Sequence, residues 1–164
     1  MNSGRLIEVK DFETMTVSRV ETPDVDLSVV IPTFNESHGI SQIIRSLHSS
    51  LKELHINFEI ILVDDDSPDD TWKIAAELIK EIPELTVIRR VGVKGLATAV
   101  ICGWHYSNGQ LLGVMDGDGQ HPTEVIKDLF EVFNENGQEV AVASPYLPHG
   151  GIKKWSLSRR LLSR

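Results

Sequence analysis

Cysteine is almost absent from this chain. The single Cys102 excludes an internal disulfide, and its place in an apolar helical pattern marks a buried, inert thiol. Long apolar runs are missing as well. Nothing approaches the ~20 residues a membrane-crossing helix needs, and the amino terminus lacks a basic-then-apolar leader pattern, so a cytosolic location is the default expectation. Excess positive charge is also lacking: the 164 residues carry a net charge of −8, which argues against non-specific nucleic-acid binding. His38, His48, His55, His105 and His149 show no zinc spacing with Cys102 or with one another. No Ser/His/Asp set suggests covalent hydrolysis, and the Gly-Lys-Ser/Thr of a Walker loop is absent. The length suits one sizeable core of ordinary globular composition.

What is present is a regular alternation. Residues 1 to 25 are polar and of mixed charge, and are expected to form a loosely ordered arm ahead of a single domain over 26 to 164. Leu27 to Ile31 is a β-branched run stopped by Pro32. Ile40, Ile43, Ile44, Leu47, Leu51 and Leu54 then recur at helical spacing. Phe58 to Val63 predicts a second strand, and about Asp70 to Ile82 a second helix stopped by Pro83. Leu85 to Ile88 predicts a third strand. The loop Gly92 to Gly95 leads to a helix with Leu96, Ala99, Val100 and Gly103 inward. Asn108-Gly109 marks a turn, and Leu111 to Met115 predicts a fourth strand. A helix opening at Pro122 and closing at Gly137, then a strand over Glu139 to Ala143, complete the series. Such alternation means right-handed βαβ units, a mostly parallel sheet and helices on both faces.

In sheets of this kind ligands bind at the carboxyl ends of the strands, and four polar clusters fall there. Ile31-Pro32-Thr33-Phe34-Asn35-Glu36 offers a ring for a nucleotide to pack on and a carboxylate for its base or ribose, although Glu36 or Ser37 capping the next helix explains the same residues. Val63 to Thr71 holds five acids in nine residues. Asp69 or Asp70 capping a helix accounts for some of these, and Asp65 is the expected ligand contact. Arg90 and Lys94 flank the glycine loop, which reads either as a phosphate cradle or as a simple tight turn. Asp116-Gly117-Asp118-Gly119-Gln120 sets two carboxylates one residue apart, with an amide oxygen two residues on. That set suits an octahedral Mg²⁺ or Mn²⁺ carrying substrate phosphates. His121 beside Pro122 reads as a structural hydrogen-bonder. From Gly150 to Arg164 there are five basic residues and no acidic one, which suits a phosphate, an anionic membrane surface or simply a solvated tail.

Taken in order, "VVIPTFNE", "EIILVDDDSPDDT", "GLATAVICG", "MDGDGQHP" and "GGIKKWSLSRRLLSR" resemble a family 2 glycosyltransferase of the GT-A fold. Within it the sequence is most similar to dolichol-phosphate and other polyprenyl-phosphate mannosyltransferases, from about Leu27 to Arg164. The resemblance implies a metal-dependent, inverting transfer of a sugar from a donor such as GDP-mannose to a polyprenyl phosphate, at the cytoplasmic face of a membrane. It assigns Pro32, Phe34, Glu36, Val63 and Asp65 to the nucleoside. Asp116, Gly117, Asp118 and Gln120 go to the metal–pyrophosphate site, with Asp116, Asp118 and Gln120 as metal ligands and Asp116 and Asp118 as the catalytic pair. The basic segment, Arg159 and Arg160 in particular, is assigned to the acceptor phosphate, with a membrane-anchored partner as a further expectation. The sequence departs from the family at Asp66 and Asp70, where relatives carry glycine, and at Pro145, where they carry Arg. The family's domain also continues past the position of Arg164, so a C-terminally incomplete GT-A fold is expected. Two other readings fit parts of the pattern. One is a non-catalytic nucleotide-sugar-binding domain completed by a partner chain. The other is a Mg²⁺-dependent phosphotransferase with Asp64 or Asp65 as nucleophile, which leaves Asp116 to Pro122 unexplained.

Overall fold

The computed structural model describes residues 4–10, 24–119, 123–136, 141 and 143. The chain divides into two units, Met1–Thr123 and Glu124–Arg164. The first is built on a five-stranded sheet. Its strands are β1 (Arg5–Val9), β2 (Val25–Thr33), β3 (Phe58–Asp64), β4 (Leu85–Arg90) and β5 (Gly109–Val114). They lie in the order β1-β4-β3-β2-β5, and every pairing is parallel. The parallel α/β architecture expected from the alternation is the one observed.

Both faces of the sheet are apolar because the central strands are covered on both sides, as parallel sheets require. Val30 of β2, Ile61 and Val63 of β3 and Ile88 of β4 meet Ala99 and Cys102 of α3 (Leu96–Tyr106). Gly103 lets that helix come close, since a Cβ there would stand 2.4 Å from Val30 Cγ1. The alternate residues Val29, Ile31, Ile60, Leu62 and Val87 point the other way by the period of a strand and are equally buried. α2 (Thr71–Glu77) packs along β3 and β4 and against α1 (Ile40–Lys52). α1 buries Ile40, Ile43, Ile44, Leu47 and Leu51, the stripe read from the sequence. Each such side chain contributes roughly 1.5–3 kcal/mol when fully buried. The Cys102 thiol is fully buried and pushed up to about 11 by that burial, which makes it inert.

Three expectations change. The loosely ordered arm gives way, at Arg5–Val9, to an edge strand whose Ile7 and Val9 join the α3 core cluster. Five residues flanked by charge were too few for a period to be read. The helix expected over Asp70 to Ile82 is α-helical only to Glu77 and then tightens into a 3₁₀ turn, Leu78–Lys80. Pro32 does not end β2, which continues to Thr33. The carbonyl of Val30 accepts from Met115 N, so the backbone of Pro32, two residues on, faces the same neighbour. That neighbour, β5, has ended at Val114, and the missing N–H of Pro32 costs no ladder bond.

The second unit contains α4 (Val125–Asn136), with the apolar residues expected at helical spacing. Its start at Val125 is three residues later than the position of Pro122. The strand expected over Glu139 to Ala143, Gln120, His121, Pro122, Pro145 and the whole basic segment lie outside the described residues or largely so. No helix among the described residues is long and apolar enough to cross a membrane.

Candidate active-site cleft

Because every strand runs the same way, Thr33, Asp64, Arg90 and Val114 bring four chain segments to one edge of the sheet. A cleft of about 260 Å³ opens there, lined by Pro32, Thr33, Phe34, Glu36, Asp65, Leu96, Ala99, Asp116, Gly117 and Asp118. Seven residues singled out from the sequence thus meet in one place: Pro32, Phe34, Glu36, Asp65, Asp116, Gly117 and Asp118. Val63 does not join them. Its side chain is fully buried in the cluster under α3, because alternation along β3 turns it toward the helix. Gln120, Arg159 and Arg160 lie outside the described residues.

Gly117 decides how the Asp pair is presented. It is buried, and a Cβ there would lie 2.8 Å from Thr33 Cγ2 and 3.3 Å from both Ile31 Cγ2 and Pro32 O. Seating this glycine against the end of β2 leaves its neighbours Asp116 and Asp118 exposed at the cleft. Among the described residues no three His, Cys, Asp or Glu side chains gather as a metal-ligand set. Two carboxylates alone fit a hard divalent ion whose other positions are filled by substrate phosphates and water. The field in the cleft is consistent with that fit. Burial raises the pKa of Glu36 above its ordinary 4.5, and the negative charges of Asp118 and Asp69 push it further.

The acidic segment Asp64–Asp70 turns out to be mostly scaffold. Asp64 is fully buried and accepts from Thr33 Oγ1 at 2.9 Å, Ser67 N at 2.8 Å and Ser67 Oγ at 2.6 Å. Burial raises its pKa despite those hydrogen bonds. Asp65 faces the cleft, but both its oxygens are engaged: Arg90 Nε donates to Oδ1 and Gly95 N to Oδ2, each at 2.7 Å. Asp64 is sealed from the cleft and Asp65 is held by Arg90 and Gly95, which argues against either as a nucleophile toward phosphorus. Asp66 pairs with Arg89, and Asp70 with Lys73. Both Asp66 (φ 55°) and Asp70 (φ 65°) lie in the left-handed region that favours glycine. Their extra charge is therefore turned to outward cations.

Asp69, read from the sequence as a helix-capping candidate, also reaches Ser37. Its Oδ1 accepts from Thr71 N and Oγ1, and its Oδ2 from Ser37 N at 3.0 Å. Burial alone would raise its pKa, but the hydrogen bonds from Thr71 and Ser37 outweigh that and hold it at about 2. The capping of α1 by Glu36 or Ser37 is not realised, since Gly39 precedes that helix without a side-chain cap. The only sequence signal for the role of Asp69 was a helix-capping pattern, which says nothing about a partner 32 residues away.

The glycine loop also differs from expectation. Arg90 is 1 % exposed and turned inward onto Asp65, Thr98 Oγ1 and Gly95 O, so it does not offer its charge to a phosphate. Lys94 does reach the rim, where its Nζ lies 4.4 Å from the centroid of the exposed Phe34 ring.

The fold and cleft define a parallel α/β domain with an acidic cleft at the carboxyl edge of its sheet. Residues 28–164 match Glycosyl transferase family 2, and the chain belongs to that family. It is 43% identical over 138 residues to a dolichol-phosphate mannosyltransferase of Pyrococcus furiosus, covering 84% of this chain and 38% of that protein. It is 34% identical over 140 residues to a polyprenol monophosphomannose synthase of Mycolicibacterium smegmatis, covering 83% of this chain and 51% of that one. The chain thus spans about 38% and 51% of the length of these relatives. Among solved structures it resembles a mannosyltransferase of Pyrobaculum calidifontis in complex with GDP-Man and Mn²⁺, with a TM-score of 0.60, 20% identity and coverage of 76% of this chain and 37% of that one. It also resembles residues 1–349 of S. aureus TarS, with a TM-score of 0.55, 21% identity and coverage of 75% and 40%. These two likenesses support the GT-A fold.

Proposed function

We propose that this chain is the donor-binding part of a polyprenyl-phosphate mannosyltransferase, moving mannose from GDP-mannose to a polyprenyl or dolichyl phosphate at a membrane surface. The observation that carries this reading is the convergence of Pro32, Phe34, Glu36, Asp65 and Asp116–Asp118 on one cleft of about 260 Å³. The relatives in Pyrococcus and Mycolicibacterium support the donor sugar and the acceptor class.

The exposed ring of Phe34 gives the nucleobase a surface to stack on, and Glu36 accepts hydrogen bonds from base or ribose. Asp65, fixed by Arg90, shapes the adjoining wall. Asp116 and Asp118, with Gln120 by sequence, would hold Mg²⁺ or Mn²⁺. Such an ion supplies charge neutralisation to the departing diphosphate. The acceptor phosphate oxygen forms the new bond to the anomeric carbon as the bond from that carbon to the diphosphate breaks, and the bonding pair leaves with GDP. An ionised phosphate needs no strong general base, so the protein contributes mainly orientation. Arg159 and Arg160 are assigned to the acceptor phosphate by sequence alone.

Calorimetric titration with GDP and then UDP, each with Mn²⁺ and with chelator, tests the reading. Mn²⁺-dependent GDP binding that disappears in Asp118→Ala supports it. A preference for UDP keeps the fold and moves the donor class. Absence of binding to a folded chain overturns it, and binding without any transfer to polyprenyl phosphate leaves a nucleotide-sugar-binding domain.

A further inference from the structure

Three successive amides in the segment that carries Phe34 and Glu36 are held from outside it. Asn35 N donates to Ser67 Oγ, Glu36 N to Thr71 Oγ1 and Ser37 N to Asp69 Oδ2, each at 3.0 Å. The two hydroxyls pass the interaction on, Ser67 Oγ to Asp64 Oδ2 at 2.6 Å and Thr71 Oγ1 to Asp69 Oδ1 at 2.5 Å. The loop is thus moored to two carboxylates through relays in which each hydroxyl accepts once and donates once. Hydrogen bonds ending on an ionised acceptor are the strong ones. Asn35 sits at φ 61°, the left-handed region that asparagine adopts more readily than other side-chain-bearing residues, so the turn suits the moored segment. Ser67, Asp69 and Thr71 do not themselves line the cleft, whereas Phe34 and Glu36 do.

We infer that Ser67, Asp69 and Thr71 are positioning residues for the nucleoside: they preorganise the Phe34–Glu36 segment and so set nucleoside affinity without touching the ligand. This rests on the proposed nucleotide site. It deepens that reading by assigning the acidic motif after β3 to the base-and-ribose half of the site, apart from the Asp116–Asp118 half. Preorganisation acts by removing the ordering cost that a free loop would bear on binding.

The test separates the two halves. Affinities for guanosine and for GDP, the latter with Mn²⁺ and with chelator, are measured for the wild-type chain, Thr71→Val, Thr71→Ser and Asp69→Asn, alongside thermal unfolding of each. Thr71→Val keeps the shape of the side chain but leaves Glu36 N without its acceptor, while Thr71→Ser keeps the hydroxyl. The expected result is a loss of about fivefold to tenfold for guanosine and for GDP alike in Thr71→Val and Asp69→Asn. Thr71→Ser should restore binding to within about twofold of wild type. The gain that Mn²⁺ gives GDP should be unchanged in all three. Wild-type guanosine affinity in folded Thr71→Val and Asp69→Asn overturns the inference. So does a loss confined to the Mn²⁺ increment, or a loss in Thr71→Ser equal to that in Thr71→Val. A wild-type chain that binds neither guanosine nor GDP instead overturns the guanine-nucleotide reading on which the inference rests.

Discussion

Arg90 and Asp65 form a buried ion pair beneath the cleft, with Nε donating to Oδ1 at 2.7 Å and both side chains almost wholly removed from water. The pair also secures the glycine loop, since Gly95 supplies an amide to Asp65 and a carbonyl to Arg90. Removing one partner strands a buried charge. Arg90→Met should cost about 3–5 kcal/mol in urea unfolding, and adding Asp65→Asn to it should recover part of that loss. Equal destabilisation in the single and double variants would show that the pairing is not what stabilises the loop.

Gly117 has no room for a side chain against Thr33, Ile31 and Pro32. Gly117→Ala should destabilise the fold by about 1–3 kcal/mol, the usual effect of overpacking. It should also displace Asp116 and Asp118 and lower Mn²⁺-dependent GDP affinity by roughly tenfold, a change of ~1.4 kcal/mol. Calorimetry on the folded variant measures the second effect separately from the first.

Glu36 has a raised pKa from burial and from the charges of Asp118 and Asp69. Below its unfolded value the group is protonated in both states and contributes no penalty. As pH rises through the raised folded value, the native state must carry an ionised group it disfavours, and stability falls. Glu36→Gln should therefore match wild type at acidic pH and exceed it in melting temperature near neutrality. A gap that widens toward acid would contradict this sign. Asp69 has the opposite linkage. Its pKa is held at about 2, so its contribution is present above the unfolded carboxylate range and is lost only as pH falls through about 2.

Asp70 occupies the left-handed region at φ 65°, and its pairing with Lys73 is solvent-exposed. Such a surface pair contributes little. Asp70→Ala should then be less stable than Asp70→Gly by roughly 1 kcal/mol, because only glycine adopts that backbone freely. Chemical denaturation of the two variants side by side decides the matter.

The alternation of apolar runs carried much of the fold in the sequence, because an unbroken β-branched run reports a strand buried on both faces and a spacing of three to four residues reports a helix buried on one. Leu27 to Ile31, Phe58 to Val63 and the Ile40–Leu51 stripe were legible for that reason. The strand Arg5–Val9 was not, since its pairing with β4 joins residues about eighty positions apart, a separation seen also in the Arg89–Glu8 contact.

The candidate site divides along the same line. Phe34, Glu36, Asp116 and Asp118 were readable because polar residues just after apolar strands fall at the carboxyl edge of a parallel sheet. Sequence by itself therefore determined the sheet class, the edge at which the cleft opens and the family. Only the tertiary structure decided which acidic and basic groups are free to meet a ligand. Asp65 and Arg90, 25 residues apart, neutralise each other, and Asp69 spends its oxygens on a loop 32 residues away. A charge buried beside its counter-charge and a charge exposed to ligand look alike in a sequence, because the distance that separates the two cases exists only after folding.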